Sequence, residues 1–387
     1  MHTQPTTEAI RAALADSRLA ATLHALVPAR SGATRPENID TAIHPDCQML
    51  AHSLRAHNDV NLAVSQYFGV ALQQYDVVQQ LLESLFSEPE EIDFLDFACG
   101  YGRLLRFLVH GLSPKNIHAA EIQPDALAWV GQRYGVNIHA SGPAPQDFSP
   151  GRKFDLIWAA SLFSHLPDPL FGPWLAQLAA HLTDQGVLCL SVHDETLLPP
   201  DMRMPDSGLL YLSGSENADL DPEIYGTTFV AADYVERAIA GFLPGRRIVK
   251  RLPRLLAHEQ DVYVIGPPDC NLAPLDTLRY GTRGWLDELR IDDENNTLYL
   301  AGWAGSFDGL EFDGVEIRLE DRIVRLPCSE PRPEVAKVLG KPGLANSGFS
   351  CTLALPEETT PWLSISTASA DGARSLVYAG RLQRGGR

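Results

Sequence analysis

The sequence has no run approaching the ~18 apolar residues that a membrane-spanning helix needs, so a membrane-embedded protein is not expected. It has no CxxC pair either. Its six cysteines (Cys47, Cys99, Cys189, Cys270, Cys328 and Cys351) are scattered, which argues against a zinc knuckle and a small disulfide scaffold. Positive charge is scarce: 31 Lys and Arg stand against 49 Asp and Glu, for a formal net charge of −18. So acidic a surface repels phosphate backbones and anionic lipid, so no nucleic-acid partner is expected, while small molecules and neutral sugars stay open. The opening MHTQPTTEAIR lacks a basic segment followed by an apolar stretch, so no secretory leader is expected and a cytoplasmic protein with reduced thiols is. Internal repeats and low-complexity tracts are absent too. What is present, 387 residues with 45% hydrophobic and 21% charged, suits a globular chain of two domains.

Four sections follow one another. Residues 1–90 read as helices, with Thr7 capping AIRAALADSRLAATLHAL and a second periodic stretch in NLAVSQYFGVALQQYDVVQQLLESLF; SGATRPENID breaks the pattern between them. Residues 91–195 alternate strands and helices. The strands are IDFLDFA (92–98), NIHAAEI (116–122), VNIHA (136–140), FDLIWAA (154–160) and GVLCLSVH (186–193), and GRLLRFLVHGL, PDALAWVGQRYG and PLFGPWLAQLAAHL are the helices. Near-continuous apolar strands in that alternation predict an α/β fold with a mostly parallel sheet covered on both faces. From 196 a Pro-, Met- and Gly-containing stretch leads to a short helix, AADYVERAIAGF, and to RIVKRL and DVYVIG, which pair as a hairpin. A Pro-rich linker, GPPDCNLAPLD, precedes seven period-2 strands from GWLDELRI to SLVYAG, interrupted by one helix, PEVAKVLG; they predict an antiparallel sandwich.

The densest chemistry is DFACGYGRLLRFL, starting at Asp96 after an apolar strand and opening a helix. Gly100 and Gly102 let backbone approach a ligand and adopt unusual dihedrals, and the helix N-terminus offers free N–H groups. Glu121 ends the next strand, 25 residues after Asp96. A carboxylate there accepts both hydroxyls of a ribose.

DFACGYG with the strand-terminal Glu121 resembles motif I and its partner in class I S-adenosylmethionine-dependent methyltransferases. FDLIWAASLFSHL resembles their fourth strand and following loop, GVLCLSVH the fifth, and the terminal hairpin the antiparallel strands that close that Rossmann-like sheet. The likeness covers about 91–266 and departs at Cys99, where a small residue is usual. It implies S-adenosylmethionine as cofactor, with Asp96, Ala98, Gly100 and Gly102 along the methionine part, Glu121 on the ribose and Ile122 beside the adenine. Ala160, Ser161 and Leu162 would touch the cofactor from the fourth strand, and either Ser141 or Asp147 would make the adenine contact. A nicotinamide or flavin site would want GxGxxG, and Leu105 stands at its third glycine.

Acceptors meet such sheets at the carboxyl ends of the strands. His165 after strand four and His193 ending strand five fall there and are the candidate catalytic residues: a hydroxyl nucleophile needs a base. Each also reads as a packing or hydrogen-bonding histidine, and His258 and Asp261 as hairpin-stabilising residues. His193, Asp194 and Glu195 are adjacent and cannot all face one ion, so no metal site is expected. The family places substrate-recognition insertions where residues 196–245 stand, and Tyr211, Glu216, Tyr225 and Thr227 are the polar candidates there. Tyr67 and Phe68 would close an N-terminal helical lid over the cofactor, or pack inside the helices.

LYLAGWAGS, VEIRLEDRIVRL, SEPRPEVAKVLG and NSGFSCTLALP, over about 280–385, resemble a β-sandwich module appended to bacterial glycosyltransferases and methyltransferases of surface-polysaccharide assembly. Trp285, Trp303 and Trp362 either stack on sugars or fill its core, and Arg332 reads as a structural partner of Glu334 or Asp321. The expected organisation is a helical extension (1–90), a methyltransferase domain (91–266), a linker (267–279) and a sandwich (280–387). The expected function is O-methylation of a sugar or glycan. Methylation of a lipid or secondary metabolite is the second reading, and a scaffold that kept the fold the third. An intact Gly loop with Glu121 favours an enzyme, since a scaffold needs neither.

Overall fold

The computed structural model describes residues 6–28, 38–57, 59–214, 217, 219–243 and 248–384. Most of the SGATRPENID break lies outside them. The chain folds as two compact units, Gln74–Leu278 and a discontinuous one made of Met1–Gln73 with Arg279–Arg387. The N-terminal helices up to Gln73 fall in the same unit as the C-terminal strands.

The first helical stretch is two helices, α1 (Thr7–Ala15) and α2 (Ser17–Leu26). Asp16 stands between them with extended dihedrals and accepts from the Arg18 N–H at 2.9 Å, so a side chain that caps a new helix ends the old one. The α1 cap is Thr6 rather than Thr7. Then come α3 (Gln48–His57) and the 26-residue α4 (Val60–Leu85), within which the units divide.

The unit of residues 74–278 is built on β1 (Phe94–Phe97), β2 (Ile117–Glu121), β3 (Asn137–Ala140), β4 (Phe154–Ala159) and β5 (Leu182–Asp194), parallel in the order β3-β2-β1-β4-β5. Every residue of β1 and β2 is buried, as apolar strands covered on both faces should be, and the edge strand β3 is largely exposed. Helices α5 (Leu105–Leu108), α6 (Pro124–Tyr134) and α7 (Asp168–Ala180) lie between the strands in sequence. Leu95, Phe97, Ile157, Leu188 and Leu190 share one core cluster with Phe163, Phe171 and Trp174.

After β5 the insertion forms a hairpin of β6 (Leu209–Leu212) and β7 (Thr227–Val230), where the sequence reading placed no strand. Strand β7 runs parallel beside the end of β5, with His193 opposite Phe229 and Asp194 opposite Val230. Helix α8 (Ala232–Phe242) leads to the expected closing hairpin, β8 (Ile248–Leu256) and β9 (Gln260–Gly266), with β9 antiparallel to β5.

In the other unit β10 (Thr282–Asp292) and β11 (Thr297–Ser306) precede β12 (Phe312–Leu319) and β13 (Arg322–Leu326); then follow α9 (Pro333–Leu339), β14 (Gly348–Ala354), β15 (Trp362–Ser369) and β16 (Leu376–Arg381). They form two antiparallel sheets, β10-β11-β14 and β13-β12-β15-β16, around one core of Leu298, Leu300, Ile317, Phe349, Leu363 and Ile365. All seven expected strands are present. The N-terminal helices bond to β16: the Asn61 amide donates to the Tyr378 hydroxyl (3.1 Å), Ser65 Oγ accepts the Ala379 N–H (2.8 Å), and Arg381 pairs with Asp16 (2.5 Å). Tyr67 and Phe68 are buried edge to face, as packing residues are. Trp303 and Trp362 are buried too, which removes them as sugar platforms. Arg332 pairs with Glu334 as expected and with Asp287 instead of Asp321.

Candidate functional site

Strand β1 runs into a loop in which Ala98, Gly100 and Gly102 all have positive φ (59°, 54° and 75°). The two glycines serve different ends. A Cβ on Gly102 would lie 2.7 Å from the Tyr134 ring and 3.0 Å from Val130, so this glycine lets the loop pack on α6. A Cβ on Gly100 would meet nothing within 4 Å, so its backbone borders clear space. Ala98 carries the same dihedral with a side chain, the strain expected of an exposed functional turn.

Glu121 ties this loop to β2. Its Oε2 accepts the Gly100 N–H at 2.8 Å, and its Oε1 accepts the N–H groups of Ile122 (2.8 Å) and Gln123 (3.1 Å). The Cys99 N–H adds a bond to the Ala120 carbonyl at 3.2 Å. The loop does not open directly into a helix as expected. Residues 101–104 turn, and α5 has only four residues, because the left-handed glycines leave a mixture of three- and four-residue hydrogen bonds such as Gly102 N–H to Cys99 and Arg106 N–H to Gly102. No helix-terminus anion site results.

The electrostatics point the same way. Asp96 at the loop's root is 4% exposed; burial, then the nearby Glu121, push its carboxyl up to about 8, with Arg103 opposing. Burial raises Glu121 also, against its three backbone hydrogen bonds. Two adjoining buried carboxyls disfavour a pyrophosphate and favour a ligand that brings positive charge and hydroxyls.

At the end of β4, Ala160 and Ser161 are half-buried, Ser161 again has positive φ (57°), and Leu162 turns into the core. The Ser161 N–H donates to Ser191 Oγ (2.8 Å), and the Ser191 hydroxyl donates to Gln260 Oε1 (2.6 Å). Gln260 Nε2 reaches Ser161 Oγ (3.1 Å) and His193 Nε2 (3.3 Å). Strands β4, β5 and β9 thus meet in one polar cluster at the carboxyl end of the sheet. Gln260 and Ser191 escaped the sequence reading. Their only signal is a serine within the apolar run of β5 and a polar residue at the start of β9.

His165 belongs elsewhere. It is 3% exposed, its Nδ1 lies 2.5 Å from the Gly226 carbonyl oxygen, and its ring stacks on Tyr225 at 4.5 Å and 17°. With Thr228 bonded to the carbonyl of Leu166 (2.6 Å), it pins the insertion to the loop after β4. These contacts are those of a packing residue, the other reading of this histidine.

Of the insertion's candidates, Tyr225 OH reaches the Ser161 carbonyl at 3.5 Å and so borders the cluster. Tyr211 donates to the Pro222 carbonyl (2.7 Å) and Thr227 to that of Gly214 (2.8 Å), so both brace the insertion; Glu216 lies outside the described residues. Burial, then Asp221 and Glu223, push the Tyr211 phenol up and keep it protonated. Ile122 and Ser141 are half-buried at the ends of β2 and β3, where the Ser141 N–H donates to the Glu121 carbonyl (3.0 Å); Asp147 is exposed and caps its own turn.

Asp194 and Asp261 are both bound by Arg251 (2.7 Å each), and His258 is buried in the turn before β9, so all three serve the closing hairpin. Among the described residues no three His, Cys, Asp or Glu side chains come together to hold a metal, and no helix is long and apolar enough to cross a membrane.

Residues 95–188 match the family described as "Methyltransferase domain". Similar solved structures include DesVI of Streptomyces venezuelae (20% identity, 50% of this chain and 92% of that one, TM-score 0.37). Another is CalS10, an amino pentose methyltransferase from Micromonospora echinaspora (19%, 50% and 89%, TM-score 0.36). A third is an S-adenosylmethionine-dependent methyltransferase from Clostridium acetobutylicum (17%, 56% and 97%, TM-score 0.37). No curated protein matches the chain. Likenesses this weak leave the acceptor to be read from the site itself.

Proposed function

We propose that this chain, an S-adenosylmethionine-dependent methyltransferase, carries the methyl group to a hydroxyl of a sugar or glycan. The observation that carries the reading is the pair of buried carboxyls, Asp96 and Glu121, beside the clear space over Gly100. That donor set fits the cofactor, which brings an ammonium group, a sulfonium and two ribose hydroxyls. When bound, it supplies a methyl group made electrophilic by the positive sulfur.

The chain's own residues do the rest. Asp96 would hold the cation, Glu121 would accept the hydroxyls, and Ile122 with Ser141 would border the base. Ala98, Ala160 and Ser161 line the remainder. Gly102 and Leu162, turned to α6 and the core, shape the site without lining it.

Much of the rate of an in-line displacement comes from holding the nucleophile in place. His193, Ser161, Gln260 and Tyr225 form the polar wall where an acceptor would sit, and His193 is the group proposed to meet its hydroxyl. That polarity favours a polyhydroxylated acceptor over an apolar one. The sandwich supports the sugar class through its sequence resemblance to modules of polysaccharide-assembly enzymes.

The test is calorimetry with S-adenosylmethionine and S-adenosylhomocysteine on wild type beside Gly100→Val. Binding lost in the variant, whose fold circular dichroism shows intact, is the expected result. Absence of binding to wild type would overturn the reading. Acceptors are then screened as neutral oligosaccharides and nucleotide sugars against apolar alcohols, and turnover of the alcohols alone would replace the sugar class.

A further inference from the structure

We propose that Gln260 is a positioning residue of the transfer site, which fixes the ring of His193 as the neutral Nδ1–H tautomer with Nε2 as a hydrogen-bond acceptor. The proposal rests on the reading of His193 as the acceptor-side group.

The direction of the hydrogen bonds decides it. A backbone N–H only donates, so Ser191 Oγ must accept at its 2.8 Å contact with Ser161 N. The hydroxyl hydrogen of Ser191, which is fully buried, then needs an acceptor, and Gln260 Oε1 stands 2.6 Å away. Oxygen and nitrogen of an amide are told apart by such a network, and here a group that cannot reverse sets it. Gln260 Nε2 is then the atom that faces His193 Nε2 at 3.3 Å, while Ser161 Oγ lies between the two amide atoms, 3.1 Å from Nε2 and 3.2 Å from Oε1.

An amide N–H aimed at Nε2 requires a lone pair there, so the ring proton resides on Nδ1. Protonating Nε2 would set N–H against N–H until the amide turned over, and turning it would strand the Ser191 hydroxyl. Gln260 thus disfavours the imidazolium and holds the ring at a fixed angle to Ser161.

The groups around His193 on the other elements are consistent with this control. Phe229 of β7 lies 5.5 Å from its ring. His165 approaches edge-on at 6.1 Å with its own Nδ1 on the Gly226 carbonyl, and Tyr225 stacks behind it. Asp194, next to His193 on β5, and Asp261 of β9 are both bound by Arg251 of β8.

The signal a structural role would not move is the tautomer. Long-range proton–nitrogen spectra of the ¹⁵N-labelled full chain, with the His193 resonances assigned by His193→Gln, read it directly. Wild type should show protonated Nδ1 and unprotonated Nε2 throughout neutral pH. Gln260→Glu keeps an acceptor for Ser191 but offers His193 an oxygen, so the proton should move to Nε2 and the titration midpoint rise by about one pH unit or more.

Ser191→Ala releases the amide to turn over, and the tautomers should mix. It serves as the second variant if Gln260→Glu does not fold. An Nε2–H tautomer in wild type, or an unchanged His193 in a folded variant, overturns the proposal. No cofactor or acceptor is needed, so this result stands apart from the calorimetry: a confirmed tautomer with no cofactor binding would sink the methyl-transfer reading alone.

Discussion

Glu121 and Gly100 are joined across the candidate site: the carboxylate at the end of β2 accepts the Gly100 N–H at 2.8 Å, and so holds the loop that follows β1. The residue expected to read a ribose is therefore also the clasp of the loop over which the cofactor would lie. Glu121→Ala should leave three backbone N–H groups without their buried acceptor and destabilise the fold by about 1–3 kcal/mol. Cofactor affinity should fall about tenfold or more along with it. Glu121→Gln keeps one oxygen and should lose affinity with a smaller loss of stability. Urea unfolding and calorimetry on the two variants separate the roles, and equal behaviour of both would assign the carboxylate to one role alone.

On the proposed reading, Asp96 should make cofactor binding pH-dependent. Its carboxyl is pushed up to about 8, so at neutral pH it is largely protonated, and a cationic ligand favours the ionised form. Binding should strengthen as pH rises through neutrality, level off above about pH 8, and release a proton at about pH 7. The unliganded protein should behave oppositely. A carboxyl raised in the folded state costs nothing below its unfolded value, and its stability contribution is lost as pH rises from 3.8 towards about 8. Asp96→Asn should therefore be more stable than wild type in mild alkali, bind more weakly, and release no proton. Calorimetry in two buffers of different ionisation enthalpy reads the proton count, and an unchanged count in the variant would place the proton elsewhere.

Gly102 and Gly135 separate backbone strain from packing. Both have positive φ (75° and 65°), but a Cβ on Gly102 would strike Tyr134 at 2.7 Å while one on Gly135 meets nothing within 4 Å. Gly135→Ala should cost about 1 kcal/mol from the left-handed backbone alone. Gly102→Ala should add overpacking and cost about 2–4 kcal/mol in total. Thermal or denaturant unfolding measures the difference, and equal losses would mean that α6 yields freely.

How much of this was legible in the sequence depends on whether the cause was local. The strands of the parallel sheet, the Gly loop and Glu121 were readable because an apolar run, a glycine pair and a strand-terminal carboxylate each act within a few residues. The break at Asp16 was missed because apolar periodicity continues through a residue that caps the next helix. Strands β6 and β7 were missed because they are short and stand in a Pro- and Gly-broken stretch without the strand–helix alternation that frames the equally short β1 and β3. Gln260 was beyond reach, since its partner Ser161 lies 99 residues away and only the antiparallel pairing of β9 with β5 brings it to His193. The grouping of the N-terminal helices with β16 is of the same kind, resting on single contacts such as Asn61 to Tyr378, 317 residues apart. His165 and His193 looked equivalent by position, and burial and hydrogen-bond partners tell them apart.

The two histidines should accordingly fail in different ways. Removing the His165 ring takes away its bond to the Gly226 carbonyl and its stack on Tyr225, and leaves a cavity in a site 3% exposed. His165→Ala should therefore lower stability by about 2–4 kcal/mol. Turnover per folded molecule should fall through a loosened insertion, with substrate KM rising more than kcat drops. His193 is less buried and bonds to a side-chain amide, so His193→Ala should cost less stability while depressing kcat far more than KM. Unfolding curves beside steady-state kinetics on both variants check the contrast. A large kcat loss in His165→Ala at full stability would return that residue to the catalytic set, and an unaffected kcat in His193→Ala would remove the other from it.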